Sequence, residues 1–217
     1  MPTPVLPAHR TVTANVRFLV AACACLLALG LTAAVFVWTP GGQAFDTALL
    51  PLSERGASYE QDTALLAPAK ALLAFFGDEL VLGGVLLAVV LLSRRLWTSV
   101  AAVVVVLGSV VAARVLKEVV VRPDLGVSGS STHNSFPSGH VAVATALVLA
   151  FLLVLPPVAR WIVLVPGVVL VMAIAAATMI TGWHRLSDLV GGALVAGVLY
   201  CLAAALDRAP TTARDDS

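Results

Sequence analysis

The sequence predicts an all-α fold, an integral membrane bundle of six transmembrane helices. Of its 217 residues, 60% are hydrophobic and 12% are charged, against about 45–50% and 25% in an ordinary soluble domain. The mean hydropathy is +1.01, and the apolar residues form runs long enough to cross a bilayer. This composition excludes both a soluble globular enzyme and a disordered chain.

Five apolar runs reach the roughly 18 residues that the hydrocarbon core requires. They are Phe18 to Trp38, Leu96 to Ala113, Val141 to Val158, Trp161 to Ile180 and Leu189 to Leu206. The first run is longer than the about 7–15 residues of a signal-peptide core, so we expect it to stay in the membrane. We predict one domain, residues 18–206, between cytoplasmic tails at 1–17 and 207–217.

A sixth run, Ala71 to Ser93, contains two acidic residues, Asp78 and Glu79. A carboxylate at the membrane centre costs about 2.5–3.5 kcal/mol. We therefore expect both acids near one end of the span, facing protein or water, because Leu80 to Leu92 is too short to cross alone. They either mark the end of the span or take part in a nearby functional site.

The positions of the basic residues predict the orientation in the membrane. With six spans, the side that holds both termini carries Arg10, Arg17, Arg94, Arg95, Arg160, Arg208 and Arg214, and the opposite side carries Arg55, Lys70, Arg114, Lys117, Arg122 and Arg185. Lys117, Arg122 and Arg185 lie in candidate chemical motifs, and without them the count is seven against three. We expect cytoplasmic termini in the plasma membrane, with the motifs on the outer face.

Charge and metal-ligand patterns exclude other partners. The formal net charge is +1 and the basic residues are scattered, so no nucleic acid is expected to bind. Cys23, Cys25 and Cys201 lie inside apolar runs and are interpreted as packing residues. No cluster has the spacing of metal ligands, so we predict no metal and no other cofactor.

The Thr39 to Lys70 segment suggests a short surface helix without a recognisable function.

Polar residues are costly in so apolar a chain, and they cluster in two connections. The first ends in Pro137-Ser138-Gly139-His140, where a span begins. A helix start presents unpaired N–H groups and a positive dipole end to an anion; Ser138 adds a hydroxyl and Gly139 permits close approach. The same residues also fit a proline turn, a serine cap and a surface histidine.

The second cluster contains His184 and Asp188, which share a face if they lie on a helix. A carboxylate that holds one imidazole nitrogen makes the histidine a better nucleophile or base. Such a pair also arises by chance. In a six-span topology, however, both clusters emerge on the same face, as a shared site requires.

Several further residues have two interpretations. Lys117 and Arg122 are either a clamp on an anion or interface cations, and the two histidines favour the clamp. Arg185 either reaches the same anion or anchors the interface. His133 and Asn134 are either turn residues or members of the site.

These motifs, in this order, resemble the type 2 phosphatidic acid phosphatase family, which shares its site with vanadium haloperoxidases. The resemblance covers roughly Ala71 to Leu206. The family pattern has a lysine followed seven residues later by Arg-Pro, then Pro-Ser-Gly-His, then Ser-Arg with a histidine six residues after the arginine and an aspartate four further on. The middle block matches in full at Pro137 to His140.

The resemblance implies a metal-independent lipid phosphatase that acts at the outer face through a phosphohistidine. His184 would be the nucleophile, His140 the general acid and Asp188 the orienting partner of His184. Ser138 and Gly139 would bind phosphate oxygens. The substrate would be a phosphorylated lipid of the bilayer: a polyprenyl phosphate or diphosphate, a phosphatidate or a phosphatidylglycerophosphate.

The chain departs from the family pattern at the cations. Seven residues after Lys117 stands Asp124-Leu125, so Arg122-Pro123 looks like the first of two successive Arg-Pro pairs with the second lost. Ala177-Thr178 occupies the Ser-Arg positions. A carboxylate at position 124 is expected to repel a phosphate.

Three alternative functions stay open: a phosphotransferase with an alcohol acceptor, a non-catalytic binder of a lipid anion, and a transporter. The missing arginines favour the binder, whereas His140, His184 and Asp188 oppose it. The transporter lacks an inverted repeat. The lipid headgroup, its chain and the oligomeric state are not readable from the sequence.

Overall fold

The computed structural model describes residues 8–50, 64–128, 130 and 133–207. Helices form most of this part of the chain, and it contains no β-strand, so the predicted all-α class is confirmed. The helices are α1 (Ala8–Thr32, extended by a π-helical turn, Ala33–Val37), α2 (Pro40–Ala48), α3 (Leu66–Gly77), α4 (Glu79–Leu92), α5 (Leu96–Val119), α6 (Gly139–Val154), α7 (Pro157–Ile180) and α8 (Leu186–Asp207).

Four of the described helical segments are long and apolar enough to cross a membrane: Asn15–Val37, Leu96–Val119, Pro157–Ile180 and Leu186–Asp207. Helices α3 and α4, bent by 55°, pass this test together and give a fifth. Helix α6 has 16 residues, or about 24 Å at 1.5 Å per residue, short of the roughly 30 Å core. The chain is an integral membrane protein with four or five candidate spans, and the predicted count of six is not confirmed.

One predicted boundary is wrong. The run Val141 to Val158 includes Pro156, and a proline disfavours helical geometry in the residue before it, so α6 ends at Val154. Helix α1 begins at Ala8, so part of the predicted tail at 1–17 is helical.

The acidic pair lies at the break between α3 and α4. The Asp78 carboxylate caps α4 by accepting the N–H groups of Leu80 at 2.8 Å and Val81 at 3.1 Å, where the helix dipole favours negative charge. Because α3 extends back to Leu66, Asp78 and Glu79 stand in the middle of the bent pair. The predicted span Ala71 to Ser93 is therefore not one continuous helix, and its break falls at the two acids.

Small residues in α6 and α8 allow these helices to pack closely at the centre of the bundle. Ala142, Ala146, Ala196 and Ala204 are fully buried. In α7, a Cβ at Gly167 would lie 2.7 Å from the Val148 side chain of α6. The same close packing brings the N-terminal ends of α6 and α8 together.

Candidate active site

The starts of α6 and α8 are joined through the main chain. The N–H of Ser138 donates to the carbonyl of Asp188 at 2.8 Å, and the Ser138 hydroxyl caps α6 by accepting the N–H of Val141 at 3.4 Å. This approach depends on Gly192, because a Cβ there would lie 2.5 Å from the Ser138 carbonyl oxygen. The capping role of Ser138 is therefore present, and α8 positions the residue.

Asp188 is the centre of the hydrogen-bond network. Its Oδ2 lies 3.4 Å from His184 Nδ1 and accepts the Ser135 hydroxyl at 2.6 Å and the N–H of Arg185 at 2.8 Å. When Nδ1–H donates to this carboxylate, Nε2 keeps a free lone pair. The expected contact is present, but α8 begins at Leu186, so His184 lies in the preceding turn and not on the helix.

His140 and His184 converge from the two helix starts. Their ring centroids are 6.4 Å apart with planes at 66°, and His140 also lies against Trp183, at 5.8 Å between centroids. Among the described residues, no heavy atom lies within 4 Å of a Cβ built on Gly139 beyond its own helix and its chain neighbours. A small group can therefore approach the backbone of this helix start at Gly139.

A tight turn positions His184. Gly182 has φ +69°, a left-handed conformation that glycine adopts without strain. The N–H groups of Trp183 and His184 both donate to the Thr178 carbonyl, at 3.0 and 3.2 Å. The buried Thr178 hydroxyl donates to the Ala175 carbonyl at 2.8 Å. Position 178, where the family pattern has arginine, supports the turn through its backbone and presents no cation.

Lys117 lies half-buried in the last turn of α5, which continues to Val119, beyond its predicted end. The Asn134 side-chain amide donates to the Lys117 carbonyl at 3.0 Å and to the Phe136 carbonyl at 3.1 Å. Asn134 therefore ties the loop before α6 to the end of α5, which is a structural role. His133 is exposed.

Two arginines are buried in the same region. Arg122 is 3% exposed and Arg185 is 7% exposed, so neither is an interface cation that extends to solvent. Arg185 Nη1 donates to the Ser135 hydroxyl at 3.3 Å, which in turn donates to Asp188. Burial lowers the pKa of Arg122, and the positive charge of Arg185 lowers it further.

Helix α2 contributes two buried residues that sequence reasoning missed. Asp46 accepts the N–H of Ser187 at 3.0 Å and also its hydroxyl, and burial raises the pKa of Asp46 although these bonds oppose the shift. Gln43 donates to the carbonyls of Val37 at 2.8 Å and Pro123 at 3.1 Å. Helix α2 thus joins the start of α8 to the loop that follows α5 and contains Arg122 and Pro123. The sequence pattern that could have identified them is the spacing of Gln43 and Asp46, which are three residues apart and hence on one helix face.

The cluster combines groups suited to phosphoryl chemistry. It has an imidazole oriented by a carboxylate, a second imidazole, an open helix start and buried cations. Among the residues that the structure describes, no three His, Cys, Asp or Glu side chains form a group that could hold a metal ion.

Comparison with known proteins is consistent with this geometry. The family model "PAP2 superfamily" matches residues 99–210, just over half of the chain, and includes every site residue from α5 to α8. A transmembrane PAP2 type phosphatidylglycerolphosphate phosphatase from Bacillus subtilis has a similar crystal structure, with a TM-score of 0.64 and 20% identity over 89% of this chain and 99% of that chain. No curated protein sequence gives a significant match. The chain belongs to the PAP2 superfamily.

Proposed function

We propose that the chain is a membrane lipid phosphatase that hydrolyses a phosphomonoester or diphosphate of a lipid without a metal ion. The observation that carries the proposal is the contact of His184 Nδ1 with Asp188 Oδ2 at 3.4 Å, with the His140 ring 6.4 Å from that of His184. An oriented nucleophile beside a second imidazole can provide both covalent and acid–base catalysis.

In the first step, His184 Nε2 attacks the phosphorus atom and forms an N–P bond, while the bond from phosphorus to the lipid oxygen breaks. Protonated His140 donates its proton to the departing oxygen, and the lipid alcohol, or the lipid monophosphate from a diphosphate, leaves. In the second step, His140 accepts a proton from water as the water oxygen attacks phosphorus. The N–P bond breaks, inorganic phosphate leaves and both histidines are restored.

Asp188 stabilises the positive charge that His184 acquires during attack. Lys117, Arg122, Ser138 and Gly139 are the proposed phosphate-binding residues, because the start of α6 carries the positive end of the helix dipole and the two cations neutralise phosphate oxygens.

A lipid fits the surroundings of the cluster. Large apolar side chains near the site are exposed: Val119 by 68%, Val121 by 71% and Trp183 by 49%. Exposed apolar surface at a membrane boundary suits acyl or prenyl chains. We propose that the substrate enters from the bilayer, with its phosphoryl group at the starts of α6 and α8.

The experiment measures phosphate release by the full chain in detergent, with a chelator present. The substrates are phosphatidate, phosphatidylglycerophosphate and polyprenyl mono- and diphosphates. His184→Ala and His140→Ala are each expected to lower the rate by about 10²-fold or more. His9→Ala is the matched control and should retain full activity. His9 lies in the first turn of α1, about 40 Å along the helix from Trp38, whose indole N–H donates to the Val121 carbonyl next to Arg122.

The outcomes separate the alternatives. Release that survives chelation and is lost in both site variants supports the proposal and identifies the headgroup. No release from any lipid, with phosphoryl transfer to an added alcohol, would instead identify a transferase. If neither phosphate release nor phosphoryl transfer is detected, catalysis is rejected and the chain is a binding protein.

The outer-face location requires a separate test. In a chain whose native cysteines are replaced, Ser128→Cys reports the side of the α5–α6 loop and Arg94→Cys the side of the α4–α5 connection; both positions are exposed. A membrane-impermeant maleimide applied to intact cells should label Cys at 128 and not at 94. The reverse pattern would put the site on the cytoplasmic face.

A further inference from the structure

Arg122 is the least satisfied polar side chain among the described residues. It is 3% exposed, yet Nε, Nη1 and Nη2 all lack a hydrogen-bond partner within the described chain. A buried guanidinium without partners loses hydration and receives no compensating hydrogen bond. Proteins tolerate such an arrangement where a ligand provides the missing acceptors.

The two nearby carboxylates do not meet this need. Asp188 and Asp46 both exert an attractive charge on Arg122. However, Asp188 Oδ2 accepts from His184 and two further donors, and its buried Oδ1 has no hydrogen-bond partner among the described residues and so does not reach Arg122. Both oxygens of Asp46 accept from Ser187. Neither carboxylate forms an ion pair with Arg122, because among the described residues the contact between titratable groups at this site is the one from His184 Nδ1 to Asp188 Oδ2 at 3.4 Å.

Arg185 adds a second buried cation to the same region. Its Nη1 is held by the Ser135 hydroxyl at 3.3 Å, and its Nε is buried and has no partner among the described residues. Arg122 and Arg185 repel each other electrostatically. Two buried like charges raise the free energy of the empty site, and an anion between them lowers it.

We propose that Arg122 and Arg185 together form the receptor for a dianionic phosphoryl group, with Arg185 in direct contact with substrate oxygens. This inference rests on the proposed function and adds Arg185 as a residue that contacts the substrate. Ser135 links Arg185 to Asp188, which places the receptor beside His184. Two guanidinium groups match the double charge of a phosphomonoester or a terminal phosphoryl group, and a singly charged phosphodiester satisfies them poorly. An anion that reaches Arg122 must displace the side chains that now cover it, so the liganded site is more open.

The test measures anion binding by the full chain in detergent, independently of turnover, with methyl phosphate as the dianion and dimethyl phosphate as the monoanion. Isothermal titration calorimetry on wild type should give at least tenfold tighter binding of methyl phosphate. Arg122→Gln and Arg185→Gln should each weaken methyl phosphate binding at least tenfold, the effect of losing a charge-assisted hydrogen bond. Arg185→Gln should also reduce the preference for the dianion.

Asp207→Asn is the matched control, because the Asp207 carboxylate accepts the Thr98 hydroxyl at 2.9 Å near the opposite ends of α5 and α8. We expect it to bind methyl phosphate within about threefold of wild type. If Arg185→Gln binds methyl phosphate as tightly as Asp207→Asn does, then Arg185 does not contact the anion and the inference is wrong. Equal binding of both anions by wild type would also overturn it. Arg185→Lys, which keeps the charge, should lie between wild type and Arg185→Gln.

The binding and turnover experiments fail independently. Arginine-dependent binding of methyl phosphate without phosphate release from any lipid would support the receptor and reject the phosphatase. Phosphate release with an affinity that is insensitive to Arg185→Gln would support the phosphatase and reject the receptor.

Discussion

The two halves of the site differ in how many of their polar atoms have hydrogen-bond partners within the protein. On the histidine side, formed by His140, His184 and Asp188, the carboxylate binds three donors through one oxygen. On the arginine side, formed by Arg122 and Arg185, four guanidinium nitrogens have no partner in the described chain. One half is held in position by the fold, and the other lacks acceptors.

This difference separates the two tasks of the site. A nucleophile must be oriented before the substrate arrives, because misplacement directly raises the barrier. A cation receptor that paired fully with protein carboxylates would have to break those pairs to bind phosphate. Neither guanidinium forms an ion pair with Asp188 or Asp46 among the described residues, so both arginines are available to an anion. We therefore expect changes on the histidine side to lower kcat and changes on the arginine side to lower affinity.

The largest expected effect comes from Asp188→Asn. An amide cannot accept from all three donors with a full negative charge, so the His184 imidazolium loses its stabilising partner. We expect kcat to fall by about 10²-fold or more while methyl phosphate affinity stays within about threefold. Asp207→Asn is the control, because that carboxylate accepts the Thr98 hydroxyl at 2.9 Å near the opposite ends of α5 and α8. A large loss of affinity in Asp188→Asn would contradict the division into two halves.

Gly192→Ala tests whether helix packing holds the histidine side in place. The new methyl group would lie 2.5 Å from the Ser138 carbonyl and 3.1 Å from the Ala142 nitrogen, so α6 and α8 must separate. Overpacking of this kind costs about 1–3 kcal/mol, and we expect a lower thermal midpoint together with at least tenfold lower kcat. Gly84→Ala should change neither, because among the described residues a Cβ there meets no heavy atom within 4 Å beyond its chain neighbours and the backbone of its own helix. Unchanged activity in Gly192→Ala would show that the contact does not position Ser138.

Asp46→Asn tests the support that α2 gives to the start of α8. The variant can keep one bond to Ser187 but loses the charge-assisted pair, so we expect roughly tenfold lower kcat/KM. Thr47→Val is the neighbouring control, because the buried Thr47 hydroxyl has no partner among the described residues and its removal should be neutral. Equal effects of the two substitutions would remove Asp46 from the positioning network.

The smallest effect is expected for Asp124→Asn. The sequence predicts that a carboxylate here repels a phosphate, but Asp124 is exposed, and its Oδ1 accepts the N–H of Gly126 at 3.0 Å. Solvent screens an exposed charge, so KM should fall by less than about threefold, with less dependence on salt than in wild type. A tenfold fall in KM would mean that position 124 belongs to the arginine side.

Much of the histidine side was predictable because short sequence patterns encode it. The His184–Asp188 spacing gave the pairing, and the order of residues from Pro137 to His140 gave the helix start. The pairing does not require both residues to lie on the helix, because the turn at Gly182 and the Thr178 carbonyl hold His184 just outside α8, which begins at Leu186. No local pattern shows how this turn is anchored, because the carbonyl that holds it belongs to α7.

The sequence by itself determined the all-α membrane class, the family and the residues that carry the proposed chemistry, because hydrophobic runs and motif spacings are local properties of the chain. The tertiary structure decided the burial of Arg122 beside Arg185, the attachment of Asp46 to Ser187 and the closeness of Gly192 to Ser138. These features join residues far apart in the chain. Burial and the choice of hydrogen-bond partner depend on which helices meet, and that arises only when the bundle packs.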